Sequence, residues 1–81
     1  MVILVLNCGS SSAKYQVYDW DHKKVLSVGG VERIGLEYST IEQKSPNRPT
    51  YNARFSSPTH KEAIELVLKM ICDETYGVVK D

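Results

Sequence analysis

Met1-Val2-Ile3-Leu4-Val5-Leu6-Asn7-Cys8-Gly9-Ser10-Ser11-Ser12-Ala13-Lys14 opens the 81-residue chain and decides how the rest is read. Six apolar residues without a polar interruption spell a strand covered on both faces. The strand runs into a turn of small residues rich in hydroxyls, and Lys14 stands just past it, entering a second extended segment. Backbone N–H groups, serine hydroxyls and one ammonium are what a polyphosphate needs around it. Asn7, at the mouth of the turn, adds a neutral oxygen suited to a hard cation or its water shell. The same letters are also ordinary hairpin chemistry. Two better-known phosphate motifs are excluded by spacing. A P-loop ends in Gly-Lys-Ser/Thr opening a helix, whereas Lys14 enters a strand, and the dinucleotide fingerprint needs further glycines that do not follow Gly9.

Outward from the turn, Lys14 to Asp19 alternates, with Tyr15 and Val17 on one face and Lys14, Gln16 and Tyr18 on the other. Lys24 to Ile34 reads as a third strand, carrying Val25, Leu26, Val28, Val31 and Ile34. Gly29-Gly30 inside it suggests a bulge or bend. Strands over 2–6, 14–19 and 24–34, joined by short links, form an antiparallel three-stranded meander. From Glu37 to Ser57 the pattern is poor. Thr40 to Gln43 and Thr50 to Phe55 read as short strands about the turn chemistry of Ser45-Pro46-Asn47-Arg48-Pro49, a surface excursion or a fourth hairpin.

A helix over 60–74 follows. Thr59 with Glu62 makes a capping box, and Pro58 lies just outside it. Ile64, Val67, Leu68 and Ile71 recur at helical spacing and predict the apolar stripe. Glu65 and Lys69 are placed for an i,i+4 pair, and Gly77 stands past the end. The class is α/β, in one small domain spanning 1–81.

Ten basic and ten acidic residues cancel, which argues against a nucleic-acid partner. The apolar run is too short to span a bilayer and lacks the features of a signal peptide, so a soluble cytoplasmic protein is expected. Cys8 and Cys72 are too few for a disulfide framework, and Cys8 is expected to be a small buried residue. His22 and His60 form no metal-type pair and read as surface or capping-region residues.

The wording of the turn, Asn-Cys-Gly-Ser-Ser-Ser-Ala-Lys-Tyr-Gln at 7–16, resembles the N-terminal signature of the acetate kinases. Gly30-Val31-Glu32-Arg33-Ile34-Gly35, Pro58-Thr59-His60-Lys61-Glu62-Ala63-Ile64 and Tyr76-Gly77-Val78-Val79-Lys80-Asp81 resemble the same family, in order and at similar spacing. The resemblance implies the N-terminal part of a ribonuclease H-like domain, in the superfamily of actin, hexokinases and the Hsp70 chaperones. It implies reversible transfer of the γ-phosphoryl of ATP to acetate, giving acetyl phosphate and ADP, with Mg²⁺ and no membrane or nucleic-acid partner. The full-length enzyme would be a homodimer.

By the same resemblance Asn7 matches the position associated with Mg²⁺, Lys14 matches the position assigned to ATP, and Ser10 and Ser12 match hydroxyls near the transferring phosphate. Ser11 ranks below them, because neighbours in an extended turn face apart. Arg33 matches the pattern too, with a structural role favoured over a catalytic one. No residue of the chain is singled out as catalytic. The family's His-Arg-x-x-His-Gly-Gly segment would begin shortly after Asp81, so the chain is expected to be an N-terminal piece that is inactive alone. Two alternatives stand beside this reading: a propionate or butyrate kinase sharing the same turn, and a stand-alone non-enzymatic phosphate-binding module.

Overall fold

The computed structural model describes residues 1–79, and the last two positions of the Tyr76–Asp81 motif lie outside the described residues. Five strands precede one helix: β1 Val2–Cys8, β2 Ala13–Asp19, β3 Lys24–Glu32, β4 Ser39–Lys44, β5 Tyr51–Phe55, then α1 His60–Ile71. They form one antiparallel sheet in the order β1-β2-β3-β4-β5, so every strand pairs with its neighbour in sequence. The weakly patterned region is thus a full hairpin that widens the expected three-stranded meander to five strands.

Alternation sorts the side chains onto two faces. Ala13, Tyr15 and Val17 of β2, Val31 of β3 and Ile41 of β4 pack against Ala63, Val67, Met70 and Ile71 of α1 to make the core. The helix presents a face rotated from the expected stripe: Ala63 and Met70 are buried, while Leu68 is 48% exposed. The small Ala63 lets α1 lie close to the sheet, and the flexible Met70 fills the gap beyond it. The Thr59–Glu62 capping box forms as expected. The helix stops at Ile71, short of Glu74, because the Asp73 carboxylate accepts the N–H groups of Thr75 and Tyr76 and turns the chain. Glu65 and Lys69 are both exposed and form no ion pair within the described residues.

Three further expectations are corrected. β1 is the edge of the sheet and is not covered on both faces; Val5 is 50% exposed. Among the described residues β1 has a single neighbouring strand, β2. Cys8, the last residue of that edge strand, is exposed. The irregularity in β3 falls opposite Val17 and Tyr18, where Leu26 is the extra residue, and not at Gly29-Gly30. Gly29 serves instead as space: a Cβ there would overlap the Tyr15 ring and approach the Glu42 carbonyl to 2.7 Å.

The ring that occupies that space donates its hydroxyl to Gln43 Oε1 at 2.6 Å, and Gln43 Nε2 donates to the carbonyls of Met70 and Tyr76, each at 3.1 Å. Burial without a charged partner pushes the Tyr15 phenol well above its ordinary pKa, so it remains a donor at any working pH.

Candidate functional site

The serine turn is built by the register of β1 and β2. Cys8 pairs with Ala13, Asn7 with Lys14, and Leu6 with Tyr15, leaving residues 9–12 to reverse the chain. The Gly9 N–H donates to the Ser12 carbonyl at 2.8 Å and closes the turn around Ser10 and Ser11, both exposed. The turn is tight at position 9, where a Cβ would sit 2.9 Å from the Ser12 hydroxyl and oblige that side chain to turn aside. The turn is tied to the rest of the fold twice. The Ile34 N–H donates to the Ser11 carbonyl at 2.9 Å, and His60 Nε2 lies 2.8 Å from the Gly9 carbonyl.

Directly opposed residues of an antiparallel pair share a face. Asn7 and Lys14 therefore stand side by side on the face away from α1, both exposed, and alternation puts Ser12 on the Lys14 side. Lys14 is flanked on its other side by Gly30 of β3, whose missing side chain leaves the floor open. A depression of ≈ 330 Å³ lies there, lined by Lys14, Val28, Gly29, Gly30, Glu32, Glu42 and Lys44. A second, of ≈ 320 Å³, adjoins it through Lys14 and includes Val5, Asn7 and Gln16. Three of the four residues singled out in the sequence, Asn7, Ser12 and Lys14, thus share one surface. Ser10 stands at the tip of the turn.

Arg33 is placed differently. Its backbone sits in the left-handed region at φ 61°, and its carbonyl accepts from the Leu36 N–H and the Ser39 hydroxyl. Its guanidinium lies over the Tyr38 ring at 4.3 Å, with Arg54 over the same ring at 4.6 Å. These contacts shape the β3–β4 connection. His60, read from the sequence as a surface or capping-region residue, does follow the N-cap and in addition reaches the turn. Its place at the first helical position after a capping box was the only available signal.

Among the described residues, no cluster of three or more His, Cys, Asp or Glu side chains is arranged to hold a metal ion. One amide oxygen beside hydroxyls and a lysine would not retain a bare dication. The same set fits Mg²⁺ that arrives already bound to phosphate oxygens and keeps several waters. Among the described residues, no helix is long and apolar enough to cross a membrane.

The sequence model of the Acetokinase family matches residues 2–80. The chain is 48% identical over its 81 residues to the acetate kinase of Geobacter metallireducens, covering 19% of that protein. It is also 48% identical over 80 residues to acetate kinase 2 of Clostridium perfringens, covering 99% of this chain and 20% of that one. The crystal structure of Porphyromonas gingivalis acetate kinase superposes with a TM-score of 0.90 at 39% identity, over 99% of this chain and 20% of its own. The chain spans about a fifth of the length of these relatives and carries the N-terminal part of their α/β fold, that of the actin and hexokinase superfamily. It belongs to the acetokinase family.

Proposed function

We propose that this chain forms the N-terminal wall of the nucleotide site of an acetate kinase, acting as part of a longer polypeptide in the cytoplasm. The observation that carries the reading is the pairing of Asn7 with Lys14 on the open face of the sheet, beside the exposed serine turn. In the reaction, a carboxylate oxygen of acetate forms a bond to the γ-phosphorus of ATP. The bond to the β,γ-bridging oxygen breaks, and ADP leaves with that electron pair. Such a transfer asks the protein for positioning and charge neutralisation more than for covalent chemistry.

Lys14 supplies a mobile point charge able to follow the phosphate as its charge redistributes. Ser10 and Ser12 offer hydroxyl donors to phosphate oxygens, and Asn7 offers its amide oxygen to the hydrated cation. Mg²⁺, when bound with the nucleotide, neutralises phosphate charge. Among the described residues nothing supplies a second wall, so the transition state is not enclosed by these residues alone.

The test is acetyl phosphate formation from ATP, Mg²⁺ and acetate, with propionate and butyrate run in parallel, by the intact polypeptide carrying this chain and by the 81 residues alone. Turnover preferring acetate is expected from the intact polypeptide and none from the 81 residues. Preference for a longer acid would move the reading to a propionate or butyrate kinase. Absence of transfer to any of the three would leave a phosphate-binding module.

A further inference from the structure

One side chain from the far end of the chain holds the serine turn. His60 lies 51 residues after Gly9, yet its Nε2 is 2.8 Å from the Gly9 carbonyl oxygen. A carbonyl can only accept, so Nε2 carries the proton here, in the neutral ring and in the cation alike. The histidine is itself well anchored. It is the first residue of α1, preceded by the Thr59–Glu62 capping box. The buried Ser57 behind it accepts the Gly35 N–H at its carbonyl and donates its hydroxyl to the Thr59 carbonyl. The turn, in contrast, hangs from an edge strand with a single neighbour.

The carbonyl of Gly9 and the N–H of Ser10 belong to one planar trans peptide, in which the two bonds point in opposite directions. Drawing the Gly9 oxygen toward His60 therefore turns the Ser10 N–H the other way, outward from the helix. That N–H takes no backbone partner in the turn. We infer that His60 is a positioning residue: by holding the Gly9 carbonyl it fixes the peptide plane that aims the Ser10 N–H at a phosphate oxygen of the nucleotide. The inference rests on the kinase reading for the identity of the ligand, and on this geometry for the role.

The experiment uses the intact kinase with His60→Leu, which keeps bulk but removes the donor, and His60→Gln, whose amide nitrogen reaches about as far as Nε2. His60→Leu is expected to lower kcat/KM for ATP about tenfold, the loss of roughly one hydrogen bond, while the acetate KM moves less than about twofold. His60→Gln should recover most of that loss. In long-range ¹⁵N spectra the ring should be the Nε2-protonated form, and His60→Leu should shift the Ser10 amide resonance more than those in β3 to β5. Kinetics of His60→Leu that match the wild type, or an equal loss in both variants, would overturn the inference while leaving the kinase reading intact. A wild-type protein without kinase activity would sink that reading instead. The tautomer and the Ser10 resonance then decide the role alone, and an Nδ1-protonated ring would end it.

Discussion

The two faces of the sheet are made by alternate residues of the same strands and have opposite characters. Toward α1 stand Ala13, Tyr15, Val17, Val31 and Ile41, all buried. Away from it stand the polar Asn7, Lys14, Gln16, Glu32, Glu42 and Lys44 with Gly30 among them, mostly exposed, and the exposed Val5 and Val28. One face fixes the backbone by excluding water, and the other presents charge on a backbone already fixed. Substitutions on the open face should therefore change function with little effect on stability, and those on the covered face the reverse.

The largest effect is expected from Lys14→Ala and Asn7→Ala in the intact enzyme. Each removes a contact that matters most as charge develops on the transferring phosphate, at roughly 2–4 kcal/mol of barrier by analogy with an oxyanion donor. kcat should fall by two orders of magnitude or so, the acetate KM should hold, and thermal midpoints should move little. An unchanged kcat in both variants would make the Asn7–Lys14 surface a plain connection.

On the covered face, Gly29→Ala should cost about 1–3 kcal/mol of stability by forcing the Tyr15 ring and the Glu42 backbone apart. Chemical denaturation would read the loss. A neutral result would show that the ring has room to move and that the face is packed more loosely than its burial implies.

The smallest effect concerns pH at the junction between the faces. Hydrogen bonds from the Thr59 hydroxyl and then its backbone N–H hold the Glu62 carboxyl below the ordinary glutamate range. A carboxyl depressed in the folded state contributes stability that is fully present above its unfolded value, about 4.3. That contribution is lost as pH falls through the folded one. Thermal midpoints taken from about pH 7 down to about pH 3 should decline less steeply in Glu62→Gln than in the wild type. Parallel curves would remove the capping box from the acid response.

The covered face was only partly legible in the sequence, for a physical reason. Of the three inward residues of β4, two are polar: Ser39 at 0% exposure and Gln43 at 1% flank Ile41. The period-2 apolar signal was therefore missing where the strand is most deeply buried. Gln43 is tolerated there because Tyr15, Met70 and Tyr76 meet its amide, a network of long-range partners that no local window contains. β1 erred in the other direction, since an apolar run reports a preference for burial and not the neighbours that satisfy it. The phase of α1 was missed by one position because Ala63 carries little apolar weight, while Leu68 carries much and faces outward. Asn7, Ser12 and Lys14 were legible as a group because a short turn between two strands fixes their relation locally. His60 was not, because its partner lies 51 residues away.

The order of the strands also bears on the sequence of events during folding. Each of the four hairpins closes through a short connection, at residues 9–12, 20–23, 33–38 and 45–50. The entropy lost in closing such loops is small, so the meander can form from contacts among sequence neighbours. The ties from Ile34 to Ser11 and from His60 to Gly9 join segments that are distant in the chain. The first extends the β2–β3 pairing and can close with the sheet, whereas the second requires α1 to have docked on it. The loop that would meet the nucleotide is thus among the last parts of the chain to acquire its shape, and a polypeptide stalled before helix docking would hold a formed sheet with an unshaped phosphate turn.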